Sequence, residues 1–187
     1  LSAAHALSVL APHTPSFLLC DGEGEIAELL LIKETIPEAH ATIPVGFATI
    51  LRTIALHAGV GHEELPSLLS LIAHPRSAIH AHEAIRLAED ECSRALGRAD
   101  AICHSYAPRV CYIIGDGPEA AWFADALKHS PRLRLALPRD FDVQIVSTPL
   151  LKGHLSFSER GRDAMLGLEA LYARDRFIDA DSQKFYV

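Results

Sequence analysis

Arg109-Val-Cys-Tyr-Ile-Ile-Gly115-Asp-Gly117-Pro-Glu-Ala-Ala-Trp-Phe-Ala-Asp-Ala-Leu-Lys128 decides the fold. The apolar run Val110–Ile114, bounded by Arg109 and Gly115, reads as a buried strand. Two glycines end it. Pro118 suits the first position of a helix, which runs to about His129. A strand that enters a helix through a glycine turn gathers backbone N–H groups at the positive end of a helix dipole. That is an anion-binding arrangement.

Working outward toward the C-terminus, Leu133–Leu137 and Val143–Ser147 are expected as strands and Pro149–His154 as a loop. Ser156-Phe-Ser-Glu159 matches a capping box and opens a final helix to about Ala173. Toward the N-terminus, a long helix is expected over Ala78–Ser105, capped by Ser77 after the break at Pro75. Its apolar residues, from Ala78 and Ile85 to Ile102, recur with helical spacing. Pro44–Ala58 reads as an apolar helix stopped by Gly59, and His62-Glu63-Glu64 opens another that reaches about Ala73. Ile36–Pro44, with two prolines, reads as a loop. Ser16–Cys20 and Glu25–Lys33 flank Asp21-Gly-Glu-Gly24 and read as a β-hairpin, with a helix over Glu25–Glu34 as the alternative. Residues 2–10 form a short apolar helix.

The expected class is therefore α/β: a helical N-terminal part with a β-hairpin, followed by a short parallel sheet flanked by helices. A boundary near Ser105–Pro108 separates a mostly helical part, 1–105, from an α/β part, 106–187. The two could form one compact domain, since 187 residues suit one core.

Charge and cysteine usage narrow the function classes. The formal net charge is −7. Such a chain lacks the broad positive field that nucleic acid or an anionic membrane surface requires. Arg132, Arg134 and Arg139 form only a local basic cluster. Cys20, Cys92, Cys103 and Cys111 include no C-x-x-C pair and read as reduced thiols of a cytoplasmic protein. No run reaches the ~18 apolar residues of a membrane span. Leu1–Leu10 lacks the basic start of a signal peptide.

Gly115-Asp-Gly117-Pro-Glu-Ala120 fits G-x-G-x-x-G/A. The first glycine allows the tight turn, the second lets a pyrophosphate approach the backbone, and small Ala120 lets helix and strand pack closely. Residues 109–142 thus resemble the first βαβ unit of a dinucleotide-binding, Rossmann-like domain. That resemblance implies a phosphate held by N–H groups from Asp116 to Ala120, and a ribose held by Asp140 or Asp142. These acids stand 23 and 25 residues after Gly117. Only 45 residues follow Asp142, too few for a six-stranded fold, and the Glu119 carboxylate would repel an anion. The same strand and Gly-x-Gly turn after a long helix also resemble sugar isomerase domains. There a Ser or Thr usually follows to touch phosphate, where Pro118-Glu119 stands here.

Eleven histidines form the second feature. His74, His80, His82 and Glu83 crowd one helix start, and Asp100 and His104 pair at i,i+4. His80, His82 and His104 are candidates for proton transfer, because imidazole titrates near neutral pH. None of these spacings is an H-E-x-x-H metal signature. Arg76 and His82 also resemble the R-x₅-H spacing of HEPN-type ribonucleases, against the charge balance. Ser147, Thr148 and Lys152 follow a strand, where ligands of open α/β sheets gather.

The leading expectation is a protein, enzyme or not, that binds a small phosphate-bearing ligand, with a nucleotide or dinucleotide as the cofactor. One alternative is a non-enzymatic oligomerising, sensory or accessory protein whose apolar helices bind a partner or a second copy. The other is a metal-dependent enzyme using the His74–His82 cluster.

Overall fold

The structure, a computed structural model, describes residues 2–64, 108–129, 137–157 and 163–177 and a few single positions between these segments. Helix α1 (Ser2–Leu10) leads into strands β1 (Ser16–Asp21), β2 (Ala27–Lys33) and β3 (Ile36–Ile43), then helix α2 (Phe47–Ala58) and a 3-10 turn at His62–Glu64. After the intervening stretch come β4 (Val110–Ile114), α3 (Pro118–His129), β5 (Asp142–Val146), the short α4 (Thr148–Leu151) and α5 (Ala164–Phe177).

The five strands make one sheet in the order β3-β2-β1-β4-β5. β1–β2 and β2–β3 are antiparallel, while β1–β4 and β4–β5 are parallel. β4, α3 and β5 form a βαβ unit, but its second strand is the one expected at Val143–Ser147, not the one expected at Leu133–Leu137. The antiparallel β1–β3 meander, however, separates this sheet from an all-parallel doubly wound one. Strands from either side of residues 105–108 pair directly, Leu18 with Cys111 among them.

Alternation along the central strands sorts the core into two layers. Leu18, Cys20, Cys111 and Ile113 face α2 and α3, where Phe47, Ile50, Ile54, Phe123 and Leu127 meet them. Phe17, Leu19, Val110, Tyr112 and Ile114 face α1 and α5, against Ala4, Leu7, Leu168 and Leu171. A side chain such as Phe123, fully buried, contributes about 2 kcal/mol of transfer free energy. β1 and β4 are covered on both faces, which explains their unbroken apolar runs.

Several expectations change. Ile36–Pro44, read as a loop, is an edge strand over Ile36–Ile43. Edges tolerate a residue such as Pro37 that has no N–H, and Pro44 falls just beyond the strand. The β2–β3 turn carries Glu34 and Thr35, both with positive φ (49° and 72°), the geometry of a two-residue hairpin without its usual glycine. The strand expected at Leu133–Leu137 does not form, since Arg134 and Leu135 are helical. Pro149–His154 begins within α4. The final helix starts at Ala164, later than the capping box implied. Asp163 caps it: the Leu166 N–H donates to Asp163 Oδ1 (3.1 Å). The long helix expected over Ala78–Ser105 lies largely outside the described residues.

Candidate functional site

Parallel β1, β4 and β5 end at the same edge of the sheet, so the turns that follow them meet there. Gly115 lies against both α2 and α3: a methyl added to it would sit 3.0 Å from the Ala120 methyl and 3.1 Å from the Phe47 ring. Gly22, after β1, is held against the same ring, with its added methyl 2.5 Å away. Close packing thus requires small residues at Gly115, Ala120 and Gly22, and Phe47 joins the two glycine turns.

The Asp21–Gly24 turn closes back into β2 and caps α2. The Phe47 N–H donates to the Gly22 carbonyl and the Ala48 N–H to the Gly24 carbonyl, both at 2.8 Å. Helix-end donors are thereby satisfied by backbone. Glu25 binds Arg52 through two 2.6 Å contacts and accepts from Thr49 (2.7 Å), and these groups hold its carboxyl below the usual range.

The Gly115–Gly117 turn behaves differently. It leads into the N-terminus of α3, and Asp116 in the turn and Glu119 on the helix have tasks of their own. The Asp116 carboxylate accepts from the Thr148 N–H (2.6 Å) and hydroxyl (2.5 Å). Thr148 is only 2% exposed, so Asp116 satisfies polar groups that water does not reach. The Gly115 N–H donates to the Val146 carbonyl (3.2 Å). Gly115, Asp116, Gly117, Glu119, Ala120, Ser147 and Thr148 are therefore gathered at one edge. Glu119 folds back over Gly117, with its Oε1 2.0 Å from where a methyl on Gly117 would lie. Its negative charge suits the first turn of α3, where a ligand anion would also be favoured.

The rim is acidic. Burial, then Asp163, Asp21, Asp116 and Glu119, push the Glu23 carboxyl up from its ordinary value. Among the described residues, no three His, Cys, Asp or Glu side chains are close enough to hold a metal ion by themselves.

Asp140 and Asp142 lie elsewhere. Asp142 opens β5 opposite Val110, whereas the glycine turn lies beyond Val146, four residues and ~13 Å further along the strand. Asp142 is 3.6 Å from Lys128, and Asp140 is 3.5 Å from Arg109. The Gln144 amide, the Val143 N–H and Lys128 hold Asp142 below the usual carboxylate range. Neither acid reaches a ligand at Gly115–Ala120. Lys152 is exposed just past α4. His74, His80, His82, Glu83 and His104 lie outside the described residues. The rim residues Asp21, Glu23 and Asp163 were not singled out as site residues from sequence. The signal for Asp21 and Glu23 was the acidic glycine turn at the end of an expected strand, whereas nothing local marked Asp163.

No protein-family model matches the chain, and no curated protein matches it. Solved structures share its fold. The PilM-PilN type IV pilus biogenesis complex matches with TM-score 0.58 and 18% identity over 92% of this chain and 48% of that one. Component A of the Acidaminococcus fermentans (R)-2-hydroxyglutaryl-CoA dehydratase gives 0.51 and 11%, over 94% and 67%. A ROK family glucokinase from Streptomyces griseus, in complex with glucose and AMPPNP, gives 0.50 and 12%, over 77% and 60%. The chain spans about half the length of the pilus protein. At such identities the likeness is one of fold. No helix among the described residues is long and apolar enough to cross a membrane.

Proposed function

We propose that residues 1–187 act as one unit that binds a phosphate-bearing ligand, a nucleotide in the first instance, at the edge formed by Gly115–Ala120 and Ser147–Thr148. The observation that carries this reading is the gathering of the glycine turn, the N-terminus of α3 and Thr148 at the C-terminal ends of parallel strands, braced by Asp116. Such crevices receive ligands in open α/β sheets. The fold shared with a glucokinase solved with AMPPNP supports it. The acidic rim favours the ligand as its Mg²⁺ complex, because Mg²⁺ is commonly bound by one or two carboxylates together with substrate phosphates. Glu119 keeps the helix end neutralised until the phosphate displaces it. If the ligand is turned over, proton transfer falls to His80, His82 or His104.

Thermal-shift measurements with Mg²⁺–ATP and with free ATP test this. Ligand at 100 times its dissociation constant adds ~2.7 kcal/mol. The expected outcome is a shift with Mg²⁺–ATP that Gly117→Val abolishes and Glu119→Ala enlarges. Gly117 has no positive φ, and the atoms nearest to a methyl added there belong to the flexible Glu119 carboxylate, which can move aside, so the valine should leave the fold intact.

A second reading, a non-catalytic partner-binding unit, draws on Glu119 over Gly117 and on Leu56, 78% exposed on the apolar helix α2. The pilus protein that shares the fold was solved in a complex. An unmoved melting temperature with both forms of ATP would favour it.

A further inference from the structure

At the end of the sheet away from the glycine turns, a groove of about 480 Å³ opens between the last turn of α3 and the segment leading into β5. Leu127, Leu137, Pro138 and Phe141 give it an apolar floor, and Lys128, Arg134 and Arg139 stand around it. The described lining holds three cations and no carboxylate, on a chain whose net charge is −7.

Two of the cations are partly committed. Arg134 Nε donates to the Lys128 carbonyl (3.4 Å), which fixes the arginine beside the helix end. Lys128 Nζ lies 3.6 Å from Asp142, half-exposed on both sides, so the ammonium keeps donors for another partner. Leu127, on α3, and Leu137 belong to the core layer, and Phe141 packs against it, so the floor is continuous with the core. The volume suits a small molecule rather than a folded partner.

We propose that this groove is a second ligand site, independent of the glycine turn, for a small amphipathic anion. Its ligand carries a carboxylate, sulfonate or phosphate on an aromatic or branched apolar body. The anionic group meets Arg134, Arg139 and Lys128, and the body covers Leu137, Pro138 and Phe141. Arginine forks favour planar or tetrahedral oxyanions, and the apolar floor selects against a bare inorganic ion.

Two fluorescent probes with the same aromatic body test the idea: 1-anilinonaphthalene-8-sulfonate and the uncharged N-phenyl-1-naphthylamine. The intact protein should bind the sulfonate saturably at one site and the neutral probe at least about tenfold more weakly, the loss of one charge-assisted contact. Arg139→Glu and Arg134→Glu, with unchanged circular dichroism, should each weaken the sulfonate about tenfold. Mg²⁺–ATP in excess should not displace it, which separates this site from the one at Gly115–Ala120. Equal binding of both probes, indifference to the two substitutions, displacement by Mg²⁺–ATP, or no binding at all would overturn the proposal.

Discussion

The two glycine turns at the same sheet edge have opposite fates. Asp21–Gly24 gives its carbonyls to α2, and its glycine is clamped by Phe47, so this turn is structural. Gly115–Gly117 shares the clamp at its first glycine only. Its second glycine faces a movable carboxylate, and its aspartate reaches across to Thr148 at the start of α4, just past the next strand. A glycine can thus be required by packing or be left open to a visitor. The neighbouring atoms, rather than the motif, distinguish the two cases.

The difference is open to test, most severely at Gly22. Gly22→Val drives side-chain atoms into the Phe47 ring and should cost about 3 kcal/mol in urea unfolding. Phe47→Leu in the same chain should restore part of it, as expected of residues in direct contact. Gly117→Val should by contrast leave stability nearly unchanged. Comparable losses at the two glycines would erase the distinction.

Next in size is Asp116. Asp116→Ala strands both the N–H and the hydroxyl of buried Thr148 and should cost about 2 kcal/mol. Asp116→Asn, which keeps one acceptor, should cost about half as much. If alanine were tolerated within about 0.5 kcal/mol, the link between the β4 and β5 turns would be ornamental.

The smallest effect lies at Glu23. Its folded-state pKa is raised, so the folded protein takes up the proton before the unfolded chain does. Stability from this group is therefore fully present below the ordinary value of 4.5 and is lost as pH rises through the raised one. Glu23→Gln should stabilise the protein at pH 7 by less than about 1 kcal/mol, an advantage that fades below pH 4.5. A pH-independent difference would separate Glu23 from the acidic rim.

How legible each region was follows from how local its causes are. β4 and α3 were readable nearly to the residue, because a doubly covered strand must be apolar throughout and a Gly-x-Gly-Pro junction punctuates it. β3 was missed because an edge strand is half-solvated, and its entry turn places Glu34 and Thr35 where glycine or asparagine would have announced a hairpin. Leu133, Leu135 and Leu137 alternate like a strand, yet Leu135 is 87% exposed on a helical residue. Without that strand the two acids no longer follow a strand's C-terminal end, and Asp142 instead opens β5 at the end of the sheet away from the glycine turn. The Asp116–Thr148 bond spans 32 residues and exists only because β4 and β5 are neighbours. No local pattern encodes it.

Among the described residues β3 ends one side of the sheet, and such a strand offers its backbone to any extended chain that drifts by. Pro37 withholds one donor there, the register shift at Leu31/Ile32 disturbs the ladder behind it, and Glu28 beside His40 and Thr42 adds a charged, hydrogen-bonded cluster. The residues that obscured this strand in the sequence are also guards against fibre growth. Replacing Pro37 and Glu38 with valines would make a tidier strand and a protein harder to keep in solution.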